Sequence, residues 1–394
     1  MERLKETFCK MTKEEKMIFM VVVSIFLPFY ITVIVLLGTL FYLAWDKQLV
    51  SAVRQVPRSK FAIGFCLLAV IISACYQNWL GVLCSFGILV LLLFVFFYRT
   101  RITKTFFEFL LNVCCVMSVV CVVWGFIEYA EIAHRLDFSV WSFQVNDEPE
   151  NRVHVGFFNA NYYAMMLEFV ILICIYKITQ CAMFKHAIKY IAVILLNMMM
   201  LYLTGCRTAW VPFFVTVPLM FFMTRRYGYL GLSFGMIGGC SVLVLMFPSL
   251  FQRMDILEDF SKRANIWKVA IQGICDHPLL GEGPLTYMHI YKQYQGHPTQ
   301  HAHNVFLDPI LSHGIIGVLI IGVYIVSNIK EVIKLYTKRL DIPLCALIVC
   351  FILTVLIHGL LDYTIFWIQT GLLFLLVLSA SSIYFHEDYQ KPIA

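Results

Sequence analysis

Between residues 297 and 304 three histidines and an asparagine lead into an apolar run that carries two glycines: His297, His301, His303 and Asn304, then Gly314 and Gly317. A neutral imidazole is the side chain best suited to take a proton near neutral pH. A histidine held at the start of an apolar helix is therefore a candidate general base for a hydroxyl. His303 is the best placed of the three, because Leu307, Leu311 and Gly314 follow it at helical spacing. Metal ligation is the alternative, with His297 and His301 at i and i+4. However, the glutamate of an HExxH pair is missing and the segment reads as loop, so no metal is assigned. Gly314 and Gly317 read as small-residue packing positions of a membrane helix.

Two arginines supply the complementary chemistry. In "LTGCRTAW", Arg207 stands between two apolar runs, 188–204 and 208–223. Its guanidinium is held at the bilayer edge, at the depth of a phosphate. Snorkelling to lipid headgroups is the alternative. In "DILEDFSKRANIWKVAIQGI", residues 255–274, the side chains Ile256, Phe260, Arg263, Trp267, Ala270 and Ile274 share one helical face. This is an amphipathic helix expected to lie along the membrane surface. Arg263 interrupts its apolar stripe, and a guanidinium there suits a bidentate anion such as phosphate. A salt bridge to Asp259, one turn away, is the alternative. The following "HPLLGEGP" (277–284) reads as a helix stop and tight turn; it lacks the lysine and Ser/Thr of a phosphate-binding P-loop.

The elements that must position these groups are membrane helices. The 394 residues are 61% hydrophobic and 14% charged, against about 25% charged in soluble domains. Apolar runs recur at 17–45, 61–77, 79–98, 105–129, 156–176, 188–204, 208–223, 229–247, 304–328, 342–361 and 366–385, most of them near the length that spans a bilayer. The first run carries no small-residue cleavage site behind it and is read as retained. Basic residues flank it on both sides, at Arg3 to Lys16 and at Lys47 to Lys60, which favours two crossings over one. With that choice the basic loops 99–104, 177–189, 224–228 and 330–341 alternate as cytoplasmic, and both termini face inward. The fold class expected is all-α: one polytopic membrane domain, 1–394, of about 12 transmembrane helices. Its one large extracytoplasmic loop is 248–303. The net charge of +6 is a topology signal rather than a nucleic-acid footprint. The 14 cysteines, nearly all inside apolar runs, form no CxxC and no disulfide framework.

Residues 150–320 resemble the O-antigen ligase and polysaccharide polymerase superfamily of bacterial envelope proteins. The family signature is His-Asn, nine residues, then Gly-x-x-Gly. Here it reads His303, Asn304, residues 305–313, Gly314 and Gly317. "GFFNANYYA" (156–164, with Asn159 and Asn161), "LTGCRTAW", "RANIW" (263–267) and "HPLLGEGP" also match in order. Cys206 departs from the pattern, which has serine before the arginine.

The resemblance implies a metal-independent membrane glycosyltransferase fold with no cofactor. It implies transfer of a glycan from an undecaprenyl diphosphate carrier to an acceptor sugar at the outer face of the cytoplasmic membrane. Arg207 and Arg263 would bind the donor diphosphate and His303 would activate the acceptor. Asn159, Asn161, Trp267, Asn304, Gly314 and Gly317 would support them. Polymerisation of a surface polysaccharide such as a capsule is favoured, with a lipid-linked repeat unit as acceptor. The nearest alternative is ligation to lipid-A core, protein or wall polymer. A transporter of lipid-linked glycan or solute is the rival of another class, and would require repeated halves and midplane contacts.

Overall fold

The computed structural model describes residues 11–145, 148–246 and 256–385, without the side chains of 243–244 and 256–259. Most of the basic N-terminal tail, two residues of "NDEPE", the opening of the 248–303 loop, Asp259's side chain and the C-terminal residues 386–394 lie outside the described residues.

Among the described residues all regular structure is helical. The helices are α1 (Lys13–Ser24), α2 (Phe29–Trp45), α3 (Gln48–Gln55), α4 (Ser59–Cys75), α5 (Trp79–Arg101), α6 (Lys104–Arg135), α7 (Ala160–Gln180) and α8 (Phe184–Leu203). Then follow α9 (Val211–Met223), α10 (Tyr227–Met246), α11 (Ile256–Asp276), α12 (Tyr287–Ile290), α13 (Leu307–Thr337), α14 (Ile342–His358) and α15 (Ile368–Ser379). Helices apolar on every side satisfy their own backbone and need neither water nor a single buried stripe.

Among the described residues five helices, α5, α6, α7, α8 and α13, are long and apolar enough to cross a membrane. The pair α2 and α3, bent by 95° to one another, adds a sixth candidate. The expectation of about 12 crossings meets helices that are apolar but short. The 17 residues of α4 and of α14 reach about 26 Å, under the roughly 30 Å hydrocarbon core. The first apolar run does break near Pro28, which precedes α2, and α1 packs back on α2. Yet α1, at 12 residues, is only about 18 Å long.

Helix α7 is the centre of the bundle. Every residue of its apolar window is buried, and α6, α8, α9, α14 and α15 pack around it. Asn159 caps it, its side chain accepting hydrogen bonds from the Asn161 and Tyr162 amides. This is why the helix starts at Ala160 rather than at 156, where the apolar run begins.

Polar side chains gather at the two ends of α5, a helix about 34 Å long. At its start, Asn78 donates to the Glu282 and Pro284 carbonyls of the turn after α11. At its end, buried Arg99 meets Glu331 at 2.8 Å and also bonds Asn328. Ser381 donates to Glu331, and Ser382 to the Arg99 carbonyl. Nearby, Lys104 pairs with Asp341 at 2.5 Å and Lys177 with Glu108. The expected loop 330–341 is thus largely helix, because α13 runs to Thr337 and carries Glu331 into this ion pair.

Helix α13 does not run straight. Gly314 has φ 59° and ψ −178°, and the "HPLLGEGP" turn enters the break. The amides of Ile315 and Ile316 donate to the Pro278 and Leu279 carbonyls, and the Gly283 amide donates to the Ser312 carbonyl. A Cβ on Gly314 would fall 2.3 Å from the Leu279 carbonyl and the Leu280 nitrogen. Gly314 is therefore a chain break filled by a loop, not the helix–helix packing position expected of it. Gly317, buried beside His313 and Phe65, keeps the small-residue role.

Candidate active site

His303 occupies the loop ahead of α13 with φ 46°, a left-handed conformation. It is not on the helix, as its sequence position implied. Asn304 is the anchor instead: its side-chain oxygen accepts from the Phe306 and Leu307 amides, and its amide group donates to the Leu360 carbonyl. The Val305 amide adds a bond to the Gly359 carbonyl. The loop before α13 is thereby fastened to the turn after α14.

That turn delivers the imidazole's partner. Nδ1 of His303 lies 2.8 Å from Oδ1 of Asp362, a buried carboxylate. Burial pushes the Asp362 carboxyl up. The charge of His303 and its hydrogen bond, with Arg263 and His358, more than reverse this and hold it well below the usual carboxylate range. Asp362 is therefore ionised and accepts from Nδ1–H. In the neutral ring this leaves the lone pair on Nε2, where Thr299 Oγ1 lies at 2.7 Å.

The other oxygen of Asp362 accepts from Asn161 at 2.6 Å, and Asn161 accepts in turn from Arg152 at 2.8 Å. Arg152 also donates through Nε to the Thr204 carbonyl at 2.6 Å. Thr204 ends the strand of chain that turns through Gly205 and Cys206 into Arg207, the first residue of a 3-10 turn. A continuous polar chain therefore joins the Asp362 carboxylate, the partner of His303, to the Arg207 loop. Glu128 steadies its middle, accepting from the His154 and Val155 amides.

A second pair lies beneath. His358 Nδ1 meets Glu168 Oε2 at 2.7 Å with neither side chain exposed, and His358 Nε2 reaches Thr208 Oγ1 at 3.4 Å. Cys206, also buried, contacts Thr208 Oγ1 at 3.3 Å. The loop bearing Arg207 is held from below by α7 and α14.

Arg263 and Trp267 arrive on α11. The face that this helix buries runs through Ile266, Val269, Ala270 and Gly273, against Tyr287, Ile290 and Leu311. It is turned a little from the stripe read in the sequence: Phe260 is 54% exposed, while Ala270 is buried and Trp267 and Ile274 pack against the same cluster. α11 thus packs on α13, with Arg263 and Trp267 half-buried at the edge of the contact. Arg263 Nη1 and Trp267 Nε1 are buried atoms with no hydrogen-bond partner among the described residues. Both are donors on one helix edge, and a buried donor is satisfied by an acceptor such as an anion's oxygen. Asn265 on the same helix accepts from the His297 amide, tying α11 to the loop of His303.

The three histidines separate. His301 is buried against Tyr363 and Phe366, and burial pushes its imidazole down to about 4, so it stays neutral. His297 is exposed. Among the described residues no group of three or more metal-ligating side chains forms.

Sequence reasoning missed Asp362, Arg152, Glu168 and His358. A signal was available for the last two, a lone acid in "YYAMMLEFVILICIY" and a lone histidine in "TVLIHGLLDY", since ionisable residues inside apolar runs are functional candidates.

Among curated proteins nothing matches the chain. Asn159, Asn161, Asp362 and the Glu168–His358 pair lie outside the stretch matched by a family model. That model, described as O-antigen ligase, matches residues 191–322 and so takes in Arg207, Arg263 and His303, which supports the resemblance of this chain to the O-antigen ligase-like superfamily and a membrane enzyme of polysaccharide assembly.

Proposed function

We propose that the protein transfers a glycan from a polyprenyl diphosphate carrier to an acceptor sugar at the outer face of the cytoplasmic membrane. The observation that carries this reading is the His303–Asp362 contact of 2.8 Å, with Arg263 acting on the same carboxylate and the Arg152 chain tying it to the Arg207 loop. Asp362 orients the ring, and Nε2 takes the acceptor hydroxyl proton as that oxygen bonds to the donor's anomeric carbon. The bond from that carbon to the diphosphate oxygen breaks, and its electron pair leaves with the diphosphate. Arg207 and Arg263 stabilise the negative charge that grows there. Attack from the face opposite the leaving group inverts the anomeric configuration. The leaving diphosphate needs no general acid, so no second carboxylate is required.

Polymerisation is favoured over ligation because the outer loop carries no added domain for docking a protein acceptor. The deciding experiment is mass spectrometry of lipid-linked glycans in a deletion strain. A polymerase defect leaves single repeat units on the carrier, whereas a ligase defect leaves long chains there. Accumulation of long chains would overturn the polymerase reading.

The reading needs the site outside the cell and both termini inside. In the 12-span arrangement, a single cysteine at Gln295 in a cysteine-free background should react with a membrane-impermeant maleimide added to intact cells. A cysteine at Lys334 should be protected. The reverse pattern would place the site on the cytoplasmic side and remove the proposed donor chemistry.

A further inference from the structure

The nitrogen that must receive the acceptor proton is already occupied. His303 has two ring nitrogens; Asp362 holds Nδ1 at 2.8 Å, and the Thr299 hydroxyl sits 2.7 Å from Nε2. We propose that Thr299 Oγ1 marks the position of the acceptor sugar's hydroxyl, and that the acceptor binds by displacing it. This rests on the assignment of His303 as the base.

The geometry makes the exchange a like-for-like one. A threonine hydroxyl and a secondary sugar hydroxyl are both aliphatic alcohols on a branched carbon, and each can donate its proton to the imidazole lone pair. The ring is turned so that Nε2 meets a hydroxyl whether or not substrate is present. Thr299 lies in a stretch without regular structure, between α12 and α13. Upstream it is fastened at His297, whose amide donates to Asn265 on the arginine-bearing helix and whose carbonyl accepts from Tyr287. Downstream it is fastened at Ala302, whose amide donates to Asp308. Residues 298–300 form a strap pinned at both ends, with His301 buried against Tyr363 and Phe366 behind it and Thr299 the contact it makes to His303. In the resting state the Thr299 hydroxyl occupies Nε2 until an acceptor arrives.

One expected consequence needs no substrate. In the full-length purified protein, diethyl pyrocarbonate carbethoxylates the neutral imidazole at its free lone pair, and peptide mass spectrometry reads the modification at His303. Thr299→Val keeps the side chain's shape and removes the hydroxyl. It should speed modification of His303 by about three- to tenfold, the equivalent of losing one hydrogen bond, while His297 serves as an exposed internal reference. Thr299→Ser restores the hydroxyl and should restore slow modification. In transfer assays with lipid-linked repeat units extracted from the deletion strain, Thr299→Val should lower the KM for acceptor by a similar factor without changing donor binding.

Two results would overturn the inference. Unchanged carbethoxylation in Thr299→Val means that the hydroxyl does not cover Nε2. A large fall in kcat in Thr299→Val, rescued by serine, means that Thr299 relays the acceptor proton instead of yielding its place. Failure of the base assignment itself is read separately, from transfer that survives His303→Ala.

Discussion

Replacement of His303 by alanine is expected to lower glycan transfer by about 10²–10⁴-fold, the range for loss of a positioned general base, and to leave donor binding nearly intact. The division follows from where the groups sit. The imidazole is engaged by Asp362 on one side and by a hydroxyl on the other, so neither ring nitrogen is left for the donor's diphosphate. The unpartnered donors are on α11, at Arg263 and Trp267. Asp362→Asn should fall between wild type and His303→Ala, because asparagine can still bond the ring but no longer requires the proton on Nδ1. His297→Ala should be milder, since that side chain is exposed. His301→Ala should act through stability, since its ring packs between Tyr363 and Phe366. The assay is purified protein with a lipid-diphosphate donor, scoring binding and transfer separately, with and without chelator. Transfer that survives His303→Ala would falsify the base assignment. Lost donor binding would move the imidazole to the diphosphate, and chelator sensitivity would reinstate a metal at the histidines.

How much of this could be read from the sequence differs by element. The helical class and the candidate arginines and histidine were legible because each depends on local information: apolar runs, and charge placed beside them. The count of crossings was not, because hydropathy measures apolarity and not length. α4, α9, α14 and α15 are apolar yet short, and only their packing shows how they sit. Gly314 was read as a packing position because a glycine in an apolar run gives no sign of its φ. The loop that fills the break comes from about 30 residues earlier. Asp362 and Arg152 were missed for the same reason. They stand 59 and 151 residues from His303, and the chain that joins them through Asn161 and Thr204 exists only when α7, α8 and α14 are assembled. Asn159 and Asn161 were marked together, and their roles turn out to be different. One caps a helix; the other carries the Asp362 network.

That network bears on the second large effect. Arg207→Lys and Arg263→Lys are each expected to lower transfer by about 10²–10³-fold, the cost of removing one transition-state oxyanion donor, while the protein still inserts. Lysine keeps the charge, so a role in anchoring to lipid headgroups would tolerate it. It loses the planar fork that matches two phosphate oxygens. The two sites should differ in how they fail. Arg207 sits on a loop fixed by Arg152 at Thr204 and by His358 at Thr208, so its substitution removes a contact from an otherwise rigid frame and should show mainly in kcat. Arg263 lies at the edge of α11 with a buried, unpartnered nitrogen beside that of Trp267. Its substitution should weaken ground-state binding of the diphosphate as well, raising the donor KM. It also removes a charge that helps hold Asp362 ionised. Near-wild-type transfer in both lysine variants would reduce the arginines to surface anchors and leave the diphosphate without a binding site.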